Sequence, residues 1–95
     1  MPKNPIIVYF FYNDNCPHCH KILPFIKSLR QKYKNVNFQI LEVHYNKQNM
    51  YIFNAMNKKL GETSSTVPEV IAGNHVILGS IEIPAKLEDI IKGMI

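Results

Sequence analysis

The chain has 95 residues, of which 46% are hydrophobic and 19% are charged, and eleven Lys and Arg against seven Asp and Glu give it a net charge of +4. This length allows one domain with its own core, and this composition excludes a disordered chain. The basic residues are scattered rather than gathered into a dense run, so the net charge does not predict nucleic-acid binding.

The first predicted element is a strand. Ile6–Tyr12 is a continuous apolar run rich in β-branched and aromatic residues, which is typical of a strand buried on both faces in the centre of a sheet. Turn-forming residues follow at 13–15, and over residues 17–33 apolar side chains recur at helical spacing. Proline is favoured in the first turn of a helix, as at Pro17, whereas Pro24 predicts a kink further along.

The middle of the chain predicts a second strand and a second helix. Polar and apolar side chains alternate at the start of residues 36–43, which indicates a strand. Residues 46–60 have apolar side chains at helical spacing, and Gly61 follows as the residue that ends the helix. Residues 62–66 are polar and predict a loop.

The last third predicts a β-hairpin and a final helix. Two short apolar segments, Glu69–Ala72 and His75–Leu78, flank a Gly-Asn turn, and apolar residues at helical spacing indicate a helix that starts near Pro84. The initial βαβ order predicts parallel pairing through a right-handed crossover, and the hairpin adds antiparallel strands. We therefore expect residues 1–95 to form a single α/β domain, with helices on both faces of a mixed sheet.

The chemistry centres on Cys16 and Cys19, which lie three positions apart at the start of the first helix. If Cys16 is the N-cap, the unpaired N–H groups and the positive end of the helix dipole stabilise its thiolate, and a protonated His18 adds positive charge. Cys19 lies one turn deeper and should be more buried and less acidic. This asymmetry predicts a redox-active pair in which Cys16 forms a mixed disulfide with the substrate and Cys19 resolves it.

Other uses of this motif are weaker matches. A zinc site would need two further ligands, and His18 and His20 point in different directions from one helical turn. Residues 16–20 also match the C-x-x-C-H pattern of haem attachment, with His20 as the iron ligand, but that pattern is typical of mostly helical folds. One structural disulfide, or two inert buried thiols, is the simplest alternative. We expect no tightly bound metal or cofactor.

Three features together resemble the thioredoxin and glutaredoxin superfamily: a strand before Cys16-Pro17-His18-Cys19, a helix proline at Pro24, and Thr66-Val67-Pro68 before a short strand. The resemblance covers nearly the whole chain and implies a thioredoxin fold, with a four-stranded mixed sheet flanked by three helices. It implies a cis-proline at Pro68, packed against the redox pair, and a Val67 backbone that pairs with an extended substrate. The implied substrate-binding residues are Thr66, Val67, Pro68, Gly79 and Ser80, the last two in a turn, with Pro17, His18 and Pro68 supporting the catalytic cysteines Cys16 and Cys19. We also expect Tyr12 to shape this groove.

The sequence departs from both branches of this superfamily. Phe10 occupies the position at which thioredoxins carry a buried carboxylate that serves proton transfer to the second cysteine. Asn13, Leu78 and Ile81 stand where glutaredoxins carry a basic residue, a glycine and an acidic residue that help to bind glutathione. The Pro-His pair between the cysteines is similar to that of periplasmic disulfide oxidases.

We therefore predict a thiol-disulfide oxidoreductase of cell redox homeostasis that exchanges its dithiol with the disulfides of protein substrates. The alternatives are a glutathione-linked glutaredoxin and a dedicated redox or metal carrier with one partner. The expected electron source is a reductase or glutathione, the expected state is a monomer, and neither nucleic acid nor a membrane is expected as a partner. No segment approaches the ~18–20 apolar residues of a transmembrane helix, and no signal-peptide cleavage site follows the first strand, so we expect a cytoplasmic location.

Overall fold

The computed structural model describes residues 6–62 and 66–95, which contain four strands and three helices. In chain order the elements are β1 (Ile6–Tyr12), α1 (Pro17–Lys32), β2 (Val36–Glu42), α2 (Lys47–Lys59), β3 (Glu69–Ala72), β4 (His75–Leu78) and α3 (Gly79–Met94). The predicted polar loop at 62–66 lies partly outside the described residues, since 63–65 are not among them.

Strand β1 lies in the interior of the sheet, whose order is β2-β1-β3-β4. It pairs in parallel with β2, with Ile6 opposite Val36, and antiparallel with β3, with Phe11 opposite Glu69. Helix α1 provides the crossover that a parallel pair requires, while β3 and β4 form an antiparallel hairpin. The prediction of a four-stranded mixed sheet with three helices is confirmed, and the apolar run of β1 is explained by strands on both of its edges.

The two faces of the sheet bury different sets of side chains. On the face covered by α1 and α3, the core contains Val8, Phe10, Ile22, Ile26, Val70, Ile83, Leu87 and Ile91. On the face covered by α2, the core contains Phe11, Val43, Phe53 and Ile71. The rings of Phe11 and Phe53 meet edge to face with their centroids 5.0 Å apart, a geometry that aromatic pairs favour. Alternate residues of β1 therefore support helices on opposite faces.

The final helix starts five residues earlier than expected. The prediction of a start near Pro84 is wrong, because α3 begins at Gly79 and contains Pro84 in its interior. Ile83 is fully buried in the same core as Leu87 and Ile91. The free energy gained from this burial offsets the loss of the hydrogen bond that a helical proline removes. Gly79 has a φ of +92°, which a residue with a Cβ rarely adopts, so the chain turns sharply from β4 into α3 at this glycine.

The other two helices start within one residue of their predicted positions. Pro17 is the first residue of α1, with Cys16 as its N-cap. Asn46 is the N-cap of α2, where its side chain accepts a hydrogen bond of 3.0 Å from the backbone N–H of Asn49. Across residues 6–62 and 66–95, none of the helices combines the length and apolar character that crossing a membrane would require.

Candidate active site

Cys16 is held at the end of a tight turn between β1 and α1. Its backbone N–H donates to the carbonyl oxygen of Asn13 at 2.9 Å, and the Asn13 side chain accepts from the N–H of Asn15 at 2.8 Å. Cys16 itself is extended, with φ −95° and ψ 113°, and its side chain makes no capping hydrogen bond. The sulfur therefore makes no hydrogen bond as a helix cap. It nevertheless lies at the N-terminal end of α1, where the backbone N–H groups lack helical partners.

Glu42, at the end of β2, fixes this turn to the neighbouring loop. Its carboxylate accepts hydrogen bonds from the backbone N–H groups of Asp14 at 3.0 Å, His44 at 2.9 Å and Tyr45 at 2.7 Å. Partial burial raises the pKa of Glu42, but the backbone donors outweigh this effect and hold its pKa below the usual value. Sequence reasoning missed this residue, which supports the turn that carries Cys16.

The two thiols differ in exposure, and the pKa of Cys19 is raised. Cys16 is partly exposed and Cys19 is fully buried, and both are free thiols in this structure. Burial raises the pKa of Cys19 to about 12, against an opposing contribution from a hydrogen bond with the Asn13 backbone, and the adjacent Cys16 raises it further. Cys19 is thus neutral near pH 7, and Cys16 is the sulfur that a substrate can reach.

The two histidines of the motif turn to different neighbours. His18 is exposed, and its Nδ1 lies 3.5 Å from the hydroxyl of Ser80 in the first turn of α3. His20 points back to the turn, where its Nε2 lies 2.5 Å from the carbonyl oxygen of Asp14. Within residues 6–62 and 66–95, no group of three or more His, Cys, Asp or Glu side chains is arranged to hold a metal ion. Through its contact with Ser80, His18 links the start of α1 to the start of α3.

A groove lies beside His18, between the starts of α1 and α3 and the segment before β3. Its volume is about 400 Å³, and it is lined by His18, Thr66, Val67, Pro68, Leu78, Gly79, Ser80, Ile81 and Glu82. The Val67–Pro68 peptide bond is cis, and the Pro68 carbonyl accepts a hydrogen bond of 3.0 Å from the N–H of Gly79. The structure thus brings together all the predicted substrate-binding residues except Tyr12.

Tyr12 instead packs into the sheet. Its ring stacks on Phe10 with centroids 5.7 Å apart, and it contacts the core beneath α1. Burial raises the pKa of its hydroxyl, and the nearby Asp14, Glu42 and Cys19 add to this effect. Tyr12 is therefore close enough to Cys19 to interact electrostatically, but it does not line the groove.

A buried carboxyl group lies next to the groove segment and was missed by sequence reasoning. Glu69 directly follows Pro68 and is fully buried, with its Oε1 accepting a hydrogen bond of 3.0 Å from Nδ2 of Asn57 on α2. Burial raises the pKa of Glu69 to about 7, and the charge of Glu62 contributes in the same direction. A signal existed in the sequence, because Glu69 and Ile71 are two residues apart in a predicted strand and therefore share one face of the sheet, which an isoleucine predicts to be buried.

Glu69 does not replace the buried carboxylate that thioredoxins carry at the position of Phe10. Phe10 belongs to the core under α1, which carries Cys19, whereas Glu69 contacts α2 on the opposite face of the sheet. The buried acid and the buried thiol are therefore separated by the sheet. Glu69 is therefore not placed to exchange a proton with Cys19.

Comparisons with known proteins agree with this fold. The family model described as Thioredoxin matches residues 1–58. A chain solved in work on the thiol resolving mechanism of yeast mitochondrial 1-Cys peroxiredoxin via glutathione/thioredoxin systems is 24% identical, with 96% of this chain and 80% of that chain covered and a TM-score of 0.70. Trichomonas vaginalis thioredoxin is 18% identical, with coverages of 93% and 78% and a TM-score of 0.65. Buckwheat glutaredoxin, solved as a complex with glutathione, is 23% identical, with coverages of 88% and 70% and a TM-score of 0.55. No curated protein matches the chain significantly.

Proposed function

Because this chain belongs to the thioredoxin family, we propose that it is a thiol-disulfide oxidoreductase that reduces disulfides of protein substrates. The observation that carries this proposal is the asymmetry of the two thiols. A partly exposed Cys16 lies at a helix N-terminus, one turn before a fully buried Cys19. A helix N-terminus stabilises a thiolate, which is the form that attacks a disulfide.

The proposed reaction uses the two cysteines in sequence. The Cys16 thiolate attacks one sulfur of the substrate disulfide, so a Cys16–substrate disulfide forms and the other substrate sulfur leaves as a thiolate. Because the pKa of Cys19 is about 12, this thiolate accepts the Cys19 proton only as Cys19 attacks, and not beforehand. Cys19 then attacks the Cys16 sulfur and releases the second substrate thiolate, which takes a proton from solvent. The substrate gains two electrons, and the protein is left with a Cys16–Cys19 disulfide.

The residues around the pair have supporting roles in this proposal. Pro17 starts the helix without requiring a hydrogen bond to its nitrogen, and His18 offers a ring nitrogen beside the groove. Val67 and Pro68 form the wall against which an extended substrate segment would lie, with Thr66, Gly79 and Ser80 completing it.

A further thiol must reduce the Cys16–Cys19 disulfide after each cycle. We propose a reductase or glutathione as this electron source, and a role in cell redox homeostasis. A reductant of this kind works where thiols are kept reduced, so we propose the cytoplasm as the location. The oligomeric state that we propose is a monomer. Two alternatives use the same pair of cysteines. The first is a glutaredoxin with glutathione as its co-substrate, and its support is the similarity to a glutaredoxin solved with glutathione. The second is a carrier dedicated to one partner.

The test is catalytic reduction of an unrelated disulfide-bonded protein such as insulin, with dithiothreitol as the electron supply. We expect the chain to accelerate this reduction, Cys16→Ser to abolish the acceleration, and Cys19→Ser to accumulate a mixed disulfide visible by non-reducing electrophoresis. Full activity of the Cys16→Ser protein would contradict the assigned roles. A reversible Cys16–Cys19 disulfide without turnover on any unrelated substrate would favour the dedicated carrier.

A further inference from the structure

Ile81 is unusual for an isoleucine because 83% of its surface is exposed. Among the described residues it is the most exposed large hydrophobic side chain, ahead of Tyr51 at 74% and Tyr45 at 67%. It lies in the first turn of α3, next to Ser80, whose hydroxyl approaches the ring of His18. An apolar side chain is therefore presented to solvent at the rim of the groove that His18, two residues after Cys16, helps to line.

The charges of the groove restrict what it can hold. Of the described residues that line it, Glu82 carries the negative charge and His18 is the sole basic side chain, with neither Lys nor Arg among them. Lys86 is the nearest cation in this helix, and it lies 3.5 Å from the Glu82 carboxylate, which already engages it. The positive groups that a ligand carboxylate meets here are thus His18 and the backbone N–H groups at the start of α3, without a Lys or Arg side chain to pair with it. We therefore expect a ligand without carboxylates next to its disulfide.

The position of Ile81 relates it to a particular part of a substrate. His18 lines the groove and lies two residues after Cys16, so a polypeptide whose disulfide reacts at Cys16 would lie beside this groove. The residues next to the substrate cysteine are therefore the ones that we place against the part of the groove formed by Val67, Pro68 and Ile81. Covering Ile81 with an apolar side chain removes apolar surface of both partners from water, which favours binding.

We propose that Ile81 determines substrate specificity, by contacting an apolar residue that neighbours the disulfide cysteine of an extended polypeptide. This inference rests on the proposed disulfide reduction and names its substrate class. Glutathione disulfide fits poorly, because it presents several carboxylates and no apolar side chain to a groove with Glu82 at its edge. The partner is thus a polypeptide with an apolar, uncharged segment around its disulfide.

The test compares short peptide disulfides that differ in the two residues flanking a single cysteine: Leu on both sides, Ser on both sides, or Asp on both sides. We expect kcat/KM to be about tenfold higher for the Leu peptide than for the Ser peptide, which is the size of effect that one buried aliphatic contact gives. The Asp peptide and glutathione disulfide should be the poorest substrates.

Three variants assign this selectivity to the side chain. Ile81→Ser should reduce the Leu-to-Ser ratio from about tenfold to less than about threefold, whereas Ile81→Leu should keep it. Ile95→Ser is the matched control, because Ile95 is also an exposed isoleucine but lies at the far end of α3. It should leave the ratio unchanged. Ile81→Lys should raise kcat/KM for the Asp peptide relative to the Ser peptide, since it adds the missing positive charge.

The outcomes separate this inference from the proposed function. Equal rates with the Leu and Ser peptides, or a ratio that Ile81→Ser does not change, would overturn the specificity role while leaving disulfide reduction intact. Preferred reduction of glutathione disulfide by the unaltered protein would also overturn it. Failure to reduce any of the peptides would instead refute the proposed function on which the inference rests.

Discussion

Replacing Glu69 with Gln should stabilise the protein above neutral pH. Glu69 is fully buried at the start of β3, between β1 and β4, and within residues 6–62 and 66–95 its carboxyl group has one hydrogen bond, which Asn57 donates. Neither Oε2 of Glu69 nor Oδ1 of Asn57 has a hydrogen-bond partner among the described residues. A buried carboxylate with so few donors is costly, so the neutral acid is the favoured form in the folded protein.

The magnitude follows from the pKa of this residue. In the folded protein it is raised from 4.5 to about 7, whereas the unfolded chain keeps a value near 4.5. The contribution of neutral Glu69 is therefore fully present below about pH 4.5, is lost as the pH rises towards 7, and is absent above about pH 8. Because one pKa unit corresponds to about 1.4 kcal/mol, the total loss is about 3 kcal/mol. Glu69→Gln removes the ionisation and keeps the shape, so this loss should disappear.

The assay is urea unfolding at a series of pH values from 4.5 to 9, followed by circular dichroism. The quantity of interest is the free energy of unfolding of Glu69→Gln minus that of the unaltered protein, which should increase by about 3 kcal/mol over this range. Other titrating groups are common to both proteins and cancel in the difference. Glu82→Gln is the matched control, because its carboxylate is 56% exposed, and it should give a nearly flat difference. A flat difference for Glu69→Gln as well would refute the buried, neutral carboxyl group.

Two further predictions concern the turn and the thiols. In the folded, reduced protein at pH 8, iodoacetamide should modify Cys16 and spare Cys19, because a pKa of about 12 leaves about one Cys19 in ten thousand as thiolate; mass spectrometry of the peptides would show this, and equal modification of both would contradict it. Glu42→Ala should lower the free energy of unfolding by about 2 kcal/mol and slow substrate reduction, because three backbone N–H groups lose their acceptor. Urea unfolding measures the first effect, and an unchanged midpoint would show that the turn does not depend on Glu42.

Much of the fold could be predicted because its signals are local. The apolar run of β1 indicates a strand buried on both faces, and the structure places it between β2 and β3. The Gly73-Asn74 turn and the short apolar segments around it indicate the hairpin of β3 and β4. The start of α3 was predicted wrongly from the sequence. Pro84 is a local signal for a helix start, but the burial of Ile83 outweighs that signal.

The candidate site divides in the same way. The spacing of Cys16 and Cys19 and their place at the start of a helix are features of neighbouring residues, so local sequence alone indicated that these two thiols lie together. Contacts between residues far apart in the chain decided the rest: Glu42 reaches back 28 residues to Asp14, and Asn57 reaches 12 residues to Glu69. The groove likewise exists only where α1, α3 and the segment before β3 meet. Burial, charge and pKa depend on which groups surround a side chain in space, and that is settled by the packing of the whole sheet and its helices.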